Sequence, residues 1–243
     1  MILRSERLAA AGFAHGFSTR RGGASTGPFS SLNLARNVGD SPDAVAENLR
    51  RFAGAAGLDL DRLYWASQVH GAEVVVLADG DRVETIRERE ADALVASSPG
   101  LAVGIRTADC VPILLADPAS RRVAAVHAGW RGLVRGVIQA ALRAFAGGPG
   151  TIAAIGPAIG PCCFEVGDDV ADEIAAAAGP EVRLDGSPPR VDLPEAARRL
   201  LAAGGVAAID RVGGCTRCEV ETFFSFRRDG KKAGRMLSAI RSG

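Results

Sequence analysis

Histidine is scarce: His15, His70 and His127 are the only imidazoles in 243 residues. An oxidase holding four coppers needs on the order of ten, because imidazole is the usual ligand for catalytic copper. That chemistry is excluded within one chain, while a mononuclear metal site stays open. A dominant charge is lacking too. The 29 Lys+Arg against 28 Asp+Glu leave a formal net charge of +1, which argues against nucleic acid or an anionic membrane as partner. Long apolar runs are absent: stretches such as Val111–Ala116 and Ile174–Ala178 fall far short of the ~20 residues of a membrane span. The N-terminal MILRSERLAAAGFAHGF carries three charges in its first seven residues and no sustained apolar core, so no secretory signal is expected. Five cysteines are an odd number and too few for a disulfide framework, which points to a reducing, cytoplasmic setting.

What is present is ordinary globular material, 47% apolar and 23% charged, enough for a sizeable core. The 30 Gly and 12 Pro are spread as punctuation between short apolar runs, with no repeat and no long linker, so one domain over residues 1–243 is expected. Four helices are signalled. The first follows the Ser41-Pro42-Asp43 cap, with Val45, Leu49, Phe52 and Ala56 at helical spacing before Gly57. The second carries Leu133, Val137, Ala141 and Phe145 after Trp130. The third is capped by Asp168 or Asp169, and the fourth runs from Asp192 to Gly204. Strands are expected at 73–77, 92–95, 101–105, 111–115, 122–126, 151–155, 206–212 and 223–226. Most are continuously apolar, as strands buried on both faces are. So many strands with so few helices is not a βαβ alternation, and mixed α/β layers are the expected fold class.

The rare reactive residues fall at strand ends beside turns, where a scaffold holds site residues. His70 lies in Ser-Gln-Val-His-Gly before a strand, Cys110 in Arg-Thr-Ala-Asp-Cys-Val-Pro between two strands, and His127 at the end of a third. One thiolate and two imidazoles suit Zn²⁺ and leave a fourth position for water or substrate. The same residues also suit a Cys–His nucleophile pair oriented by Asp109 or Asp92, and spacing does not separate the two. Ser18–Gly23 and Ala128–Gly132, with Arg20 and Arg131, combine basic side chains with flexible backbone as anion sites do. Cys162 and Cys163 are adjacent, and Cys215-Thr-Arg-Cys218 has CxxC spacing. A structural zinc needs two ligands beyond that CxxC, which Cys162 and Cys163 could in principle supply, but no second CxxC exists to favour that reading. All four are read as structural residues. The stretch Phe223–Asp229 with Arg235 reads first as aromatic packing with a salt-bridged edge, and second as nucleoside or phosphate contact.

Taken in order, His15-Gly-Phe-Ser-Thr-Arg20, Ser31-Leu-Asn-Leu34, Gln68-Val-His-Gly71, Thr107-Ala-Asp-Cys-Val-Pro112, Ala125-Val-His-Ala-Gly-Trp-Arg-Gly132, Ile155-Gly-Pro-Ala-Ile159 and Phe224-Ser-Phe-Arg-Arg-Asp229 resemble one family. It is the laccase-domain family, also called multicopper polyphenol oxidase or peptidoglycan editing factor. Its members are regarded as purine nucleoside phosphorylases with adenosine deaminase activity. The resemblance runs from about residue 13 to 240, departing where Phe226 replaces a more usual Tyr. It implies a zinc held by His70, Cys110 and His127, for which copper is a competing metal. It also implies a four-layer α/β/β/α fold, two stacked mixed sheets flanked by helices, similar to toxin deamidases that use a Cys–His pair. Expected substrates are purine nucleosides (adenosine, inosine, methylthioadenosine) and phosphate. Within that frame Asp109, the acid nearest a ligand in sequence, is the candidate for moving protons. Arg20 and Arg131 are the candidates for orienting phosphate, and Asn33 for bonding ribose or base. The alternative is a thiol hydrolase or amidase using Cys110 and His127, which one family name would link to cell-wall precursor editing.

Overall fold

A computed structural model describes residues 2–243. In chain order the principal strands are β1 (Ile2–Leu3), β2 (His15–Ser18), β3 (Leu63–Tyr64), β4 (Val74–Val76), β5 (Ala93–Ala96), β6 (Ala102–Thr107), β7 (Val111–Ala116), β8 (Val123–Ala128), β9 (Ile152–Ile155), β10 (Arg183–Leu184), β11 (Arg190–Val191), β12 (Ala208–Arg211) and β13 (Met236–Arg241). They make a five-stranded sheet ordered β1-β2-β13-β6-β3, a six-stranded sheet ordered β12-β9-β7-β8-β5-β4, and the small hairpin β10-β11. Both large sheets are mixed: β6 pairs parallel to β3 but antiparallel to β13, and β5 parallel to β4 but antiparallel to β8.

Alternation along the strands divides the core into three slabs, because successive side chains point to opposite faces. In β8, Ala124, Val126 and Ala128 face the helices Val137–Phe145, Asp168–Ala178 and Leu193–Ala203, while Val123 and Ala125 face the other sheet. Phe17, Val103, Ile105 and Ile240 meet them there. On the far side, Val45, Leu49 and Phe52 of the helix Pro42–Ala56 cover Ala102, Leu237 and Ala239. The result is the four-layer α/β/β/α arrangement, and burial on both faces explains why β7 and β8 read as unbroken apolar runs.

Local signals set several boundaries. Ser41 accepts from the Ala44 N–H and Gly57 closes the helix in the left-handed region. Asp192 caps Leu193–Ala203. Other expectations are corrected. The helix expected through 130–145 is two, Trp130–Val134 and Val137–Phe145, divided at Gly136 with φ +83, a conformation that costs glycine little. Gly167, not an aspartate, occupies the third N-cap. Residues 223–226 form no strand: Ser225 instead caps the short helix Phe226–Asp229. The sequence reading also lacked β13, which runs through the middle of the five-stranded sheet.

Candidate active site

Sheet register brings three reactive side chains to one place. On β7, Leu114 and Ala116 face the slab between the sheets, so Cys110, four and six residues earlier along the same alternation, faces that side too. Pro112 pairs directly with His127 of β8, and the His127 N–H donates to the Asp92 carbonyl at 2.7 Å. Three neighbouring strands thus present Asp92, His127 and Cys110 at one end of the slab. His70 arrives from a turn, with φ +59. Its imidazole Nε2 lies 3.8 Å from Cys110 Sγ, and its ring stands edge-on to that of His127 with centroids 4.8 Å apart.

The buried carboxylate of Asp92 fixes both histidines. It accepts from His127 Nδ1 at 2.7 Å, from the His70 N–H at 3.0 Å and from the Gly71 N–H at 2.6 Å. The Nδ1 bond leaves Nε2 of His127 as the free ring nitrogen, the arrangement by which carboxylates orient ligating histidines. Burial alone would raise the Asp92 carboxyl, but these donors hold it below the ordinary range. Burial likewise opposes a Cys110 thiolate, yet His127 and His70 outweigh it and bring the thiol down to about 6. His127 moves the opposite way, up to about 9: burial lowers it, and Cys110 and Asp92 more than reverse that. Gly129 makes the approach feasible, since a Cβ there would stand 2.9 Å from His70 Cδ2 and 3.0 Å from Cys110 Sγ.

The ligand atoms of His70, Cys110 and His127 lie within 4.8 Å of one another. Two imidazole nitrogens and one thiolate, locked from behind and open in front, fit a borderline metal with one position left for a further ligand. Zinc and copper both accept such donors. The open side faces a cavity of about 470 Å³, within the size range of small-molecule pockets. Its walls combine Ile159, Phe164 and Phe226 with Arg106, Arg227 and Arg235. None of these three arginines forms an ion pair among the described residues. Burial lowers the Arg106 guanidinium to about 10, with Arg87 adding repulsion. Its Nε has no hydrogen-bond partner, and it stacks on Trp65 at 4.4 Å. Gln68 pins the Arg106 backbone, accepting from its N–H at 2.8 Å and donating to its carbonyl at 2.7 Å.

Of the residues singled out from sequence, His70, Asp109, Cys110 and His127 line this cavity, whereas Arg20, Asn33 and Arg131 do not. Arg20 donates to the carbonyls of Ser30 and Val220 and lies over Phe224, so its turn straps one loop to another instead of cradling an anion. Arg131 is exposed and stacks on Trp130. Asn33 is buried and committed: it donates to Asp40 and Ala35 and accepts from the Arg235 N–H at 2.9 Å. It therefore acts on the pocket through Arg235. Asp109 accepts from Thr216 Oγ1 and from the Arg227 N–H, each at 2.6 Å, which makes it a fastener of the pocket wall. Arg106 and Gln68 were missed as functional positions, although both sit inside motifs already picked out.

The profile of the family described as multi-copper polyphenol oxidoreductase laccase matches residues 14–242. The purine nucleoside phosphorylase YfiH of Shigella flexneri is 43% identical over 227 residues, covering 92% of this chain and 91% of that protein. The purine nucleoside phosphorylase YlmD of Geobacillus stearothermophilus is 38% identical over 247 residues, covering 95% and 90%. The crystal structure of YlmD superposes with a TM-score of 0.86 at 36% identity, covering 96% of this chain and 92% of that one. The Neisseria meningitidis protein NMB0706 gives 0.82 at 39% identity, covering 94% and 93%.

Proposed function

The chain belongs to the multi-copper polyphenol oxidoreductase laccase family, and we propose that it is a zinc-dependent purine nucleoside phosphorylase that also deaminates adenosine. The observation that carries this reading is the pairing of a nitrogen–sulfur donor triad with three arginines that form no ion pair among the described residues, around one cavity. Relatives named purine nucleoside phosphorylase support purine nucleosides and phosphate as the substrate class, and within it our reading takes adenosine, inosine or methylthioadenosine. No helix is long and apolar enough to cross a membrane among the described residues, and a cytoplasmic setting remains the expectation.

His70, Cys110 and His127 would hold the metal, and zinc bound there supplies a Lewis acid beside the reacting atoms. The protein's own groups do the positioning. Arg106, Arg227 and Arg235 offer guanidinium donors to a phosphate dianion, holding one oxygen toward the anomeric carbon as the C–N glycosidic bond breaks and a C–O bond forms. The base departs with a proton and the sugar carries away the phosphate. In deamination, water adds at C6 of adenine and ammonia leaves. Ile159, Phe164 and Phe226 provide the apolar surface a purine ring packs against. Asp109 keeps Arg227 in place through its bond to that residue's N–H.

The test is product chromatography of adenosine with and without phosphate, on protein whose metal content is measured in the same sample. Phosphate-dependent adenine and phosphate-independent inosine are expected, both lost on chelation and restored by zinc. Adenine formation by a zinc-free Cys110→Ala protein would overturn the reading. A second reading, the thiol hydrolase or amidase, draws on the lowered Cys110 thiol and the Cys110–His127–Asp92 array, which matches a nucleophile, base and orienter. Selective alkylation of Cys110 that abolishes activity in metal-free protein would favour it.

A further inference from the structure

Outside the cavity, two segments distant in sequence bring the other four cysteines together. Cys162 and Cys163 lie on the loop after β9, and Cys215 and Cys218 on the turn after β12. Their four sulfurs lie within 4.8 Å of one another. Cys218 Sγ is 3.5 Å from that of Cys162 and 3.3 Å from that of Cys163. A disulfide brings sulfurs to about 2.05 Å, so these are free thiols. Four sulfurs bound to one tetrahedral zinc at about 2.3 Å stand about 3.8 Å apart; the observed 3.3 and 3.5 Å lie a little inside that value, with all four sulfurs within 4.8 Å.

The backbone is arranged for such a centre. Ala158 and Cys215 form a parallel bridge, and the Thr216 N–H donates to the Ala158 carbonyl at 3.0 Å, fixing the two segments side by side. The Gly160 N–H donates to Cys215 Sγ at 3.2 Å, and the Arg217 and Cys218 N–H groups face the same sulfur. Donors of this kind orient a ligating atom and favour its charged form. Cys163 is buried while Cys162 and Cys218 are exposed, which leaves an entry path. All four donors are protein sulfurs, the composition of closed structural zinc sites.

We propose that Cys162, Cys163, Cys215 and Cys218 bind one structural zinc ion, separate from the cavity donors. Its place in the fold gives it a task. Thr216, beside Cys215, donates to Asp109 at 2.6 Å, the Ile159 N–H donates to the Asp109 carbonyl at 2.9 Å, and Ile159 and Phe164 line the cavity. The metal is a strut behind the cavity wall, adding to the backbone bonds that already join the two loops.

The experiment uses the full chain carrying His70→Ala and Cys110→Ala, which leaves a single cavity donor and all four cysteines. After chelator-free purification, elemental analysis and native mass measurement are expected to find about one zinc per chain. The four thiols should resist alkylation until the metal is stripped. Adding Cys215→Ser and Cys218→Ser should abolish that zinc. If the fourfold variant does not fold, titrating the unmodified chain with an organomercurial decides: zinc should leave in two resolved steps, one of them blocked in the His70→Ala/Cys110→Ala chain. A metal-free His70→Ala/Cys110→Ala protein with four thiols reacting at once, a mass lower by two hydrogens from a disulfide, or iron in place of zinc would each overturn the proposal. None of these outcomes bears on phosphorolysis, so the two readings fail separately.

Discussion

The molecule holds two clusters of nitrogen and sulfur donor side chains built on opposite principles. The cavity group mixes two imidazoles with one thiolate, stands on the ends of paired strands, and is braced by a buried carboxylate. Its fourth side opens on a cavity walled by arginines. The four-cysteine group stands on two loops, is braced by backbone N–H groups, and encloses its centre with sulfur alone. A sheet supplies precision before any ion arrives, because its register is set by many hydrogen bonds and by side-chain alternation. Loops have no such register, so there a bound ion would do the aligning. The first arrangement leaves coordination free for chemistry and the second leaves none.

Four changes sharpen that contrast, from the largest effect to the smallest. His127→Ala removes a donor and strips the Asp92 carboxylate of its side-chain partner. Phosphorolysis should be lost, and equilibrium unfolding should show a cost of about 2 kcal/mol for the carboxylate left underbonded in the core. Asp92→Asn keeps the shape but weakens the brace. Zinc affinity measured against a competing chelator should fall about 10- to 100-fold, as when other outer-shell partners are removed, while the four-cysteine zinc stays bound. Arg106→Gln should raise the KM for phosphate about 10-fold or more with a much smaller change in kcat, the size expected for one charge-assisted hydrogen bond. Arg20→Gln should leave both constants within about twofold and lower stability by about 1 kcal/mol, since that guanidinium serves two carbonyls away from the cavity. A phosphate KM that rises for Arg20→Gln and not for Arg106→Gln would reverse the assignment of the anion site.

Sequence made the sheet ends legible and left the walls obscure. Strands β5 to β9 are short apolar runs bounded by turns, so their existence and the placement of His70, Cys110 and His127 beside strands were readable, while the orienter stayed open between Asp109 and Asp92. The central strand β13 was not. Met-Leu-Ser-Ala-Ile-Arg has neither clean alternation nor a continuous apolar run, and its partners β2 and β6 lie over 200 and over 100 residues away. Arg20 and Arg131 drew attention because they sit in glycine-rich turns, where composition suggests anions but nearby carbonyls and a ring claim the side chains. Arg106 was hidden at the end of an apolar strand, and only the fold reveals that nothing neutralises it. Similarly, the Cys215–Cys218 spacing was visible, but its meeting with Cys162 and Cys163 depends on the bridge between Ala158 and Cys215, which spacing cannot encode.

The clearance above Gly129 has a consequence for anyone redesigning this pocket. A single added methyl would press on a histidine ring and a sulfur at once, each at about 3 Å, and neither can retreat without leaving the donor triangle. Position 129 has an alphabet of one letter. In a library randomised there and sorted for retained phosphorolysis, glycine alone should survive, even where every other variant folds.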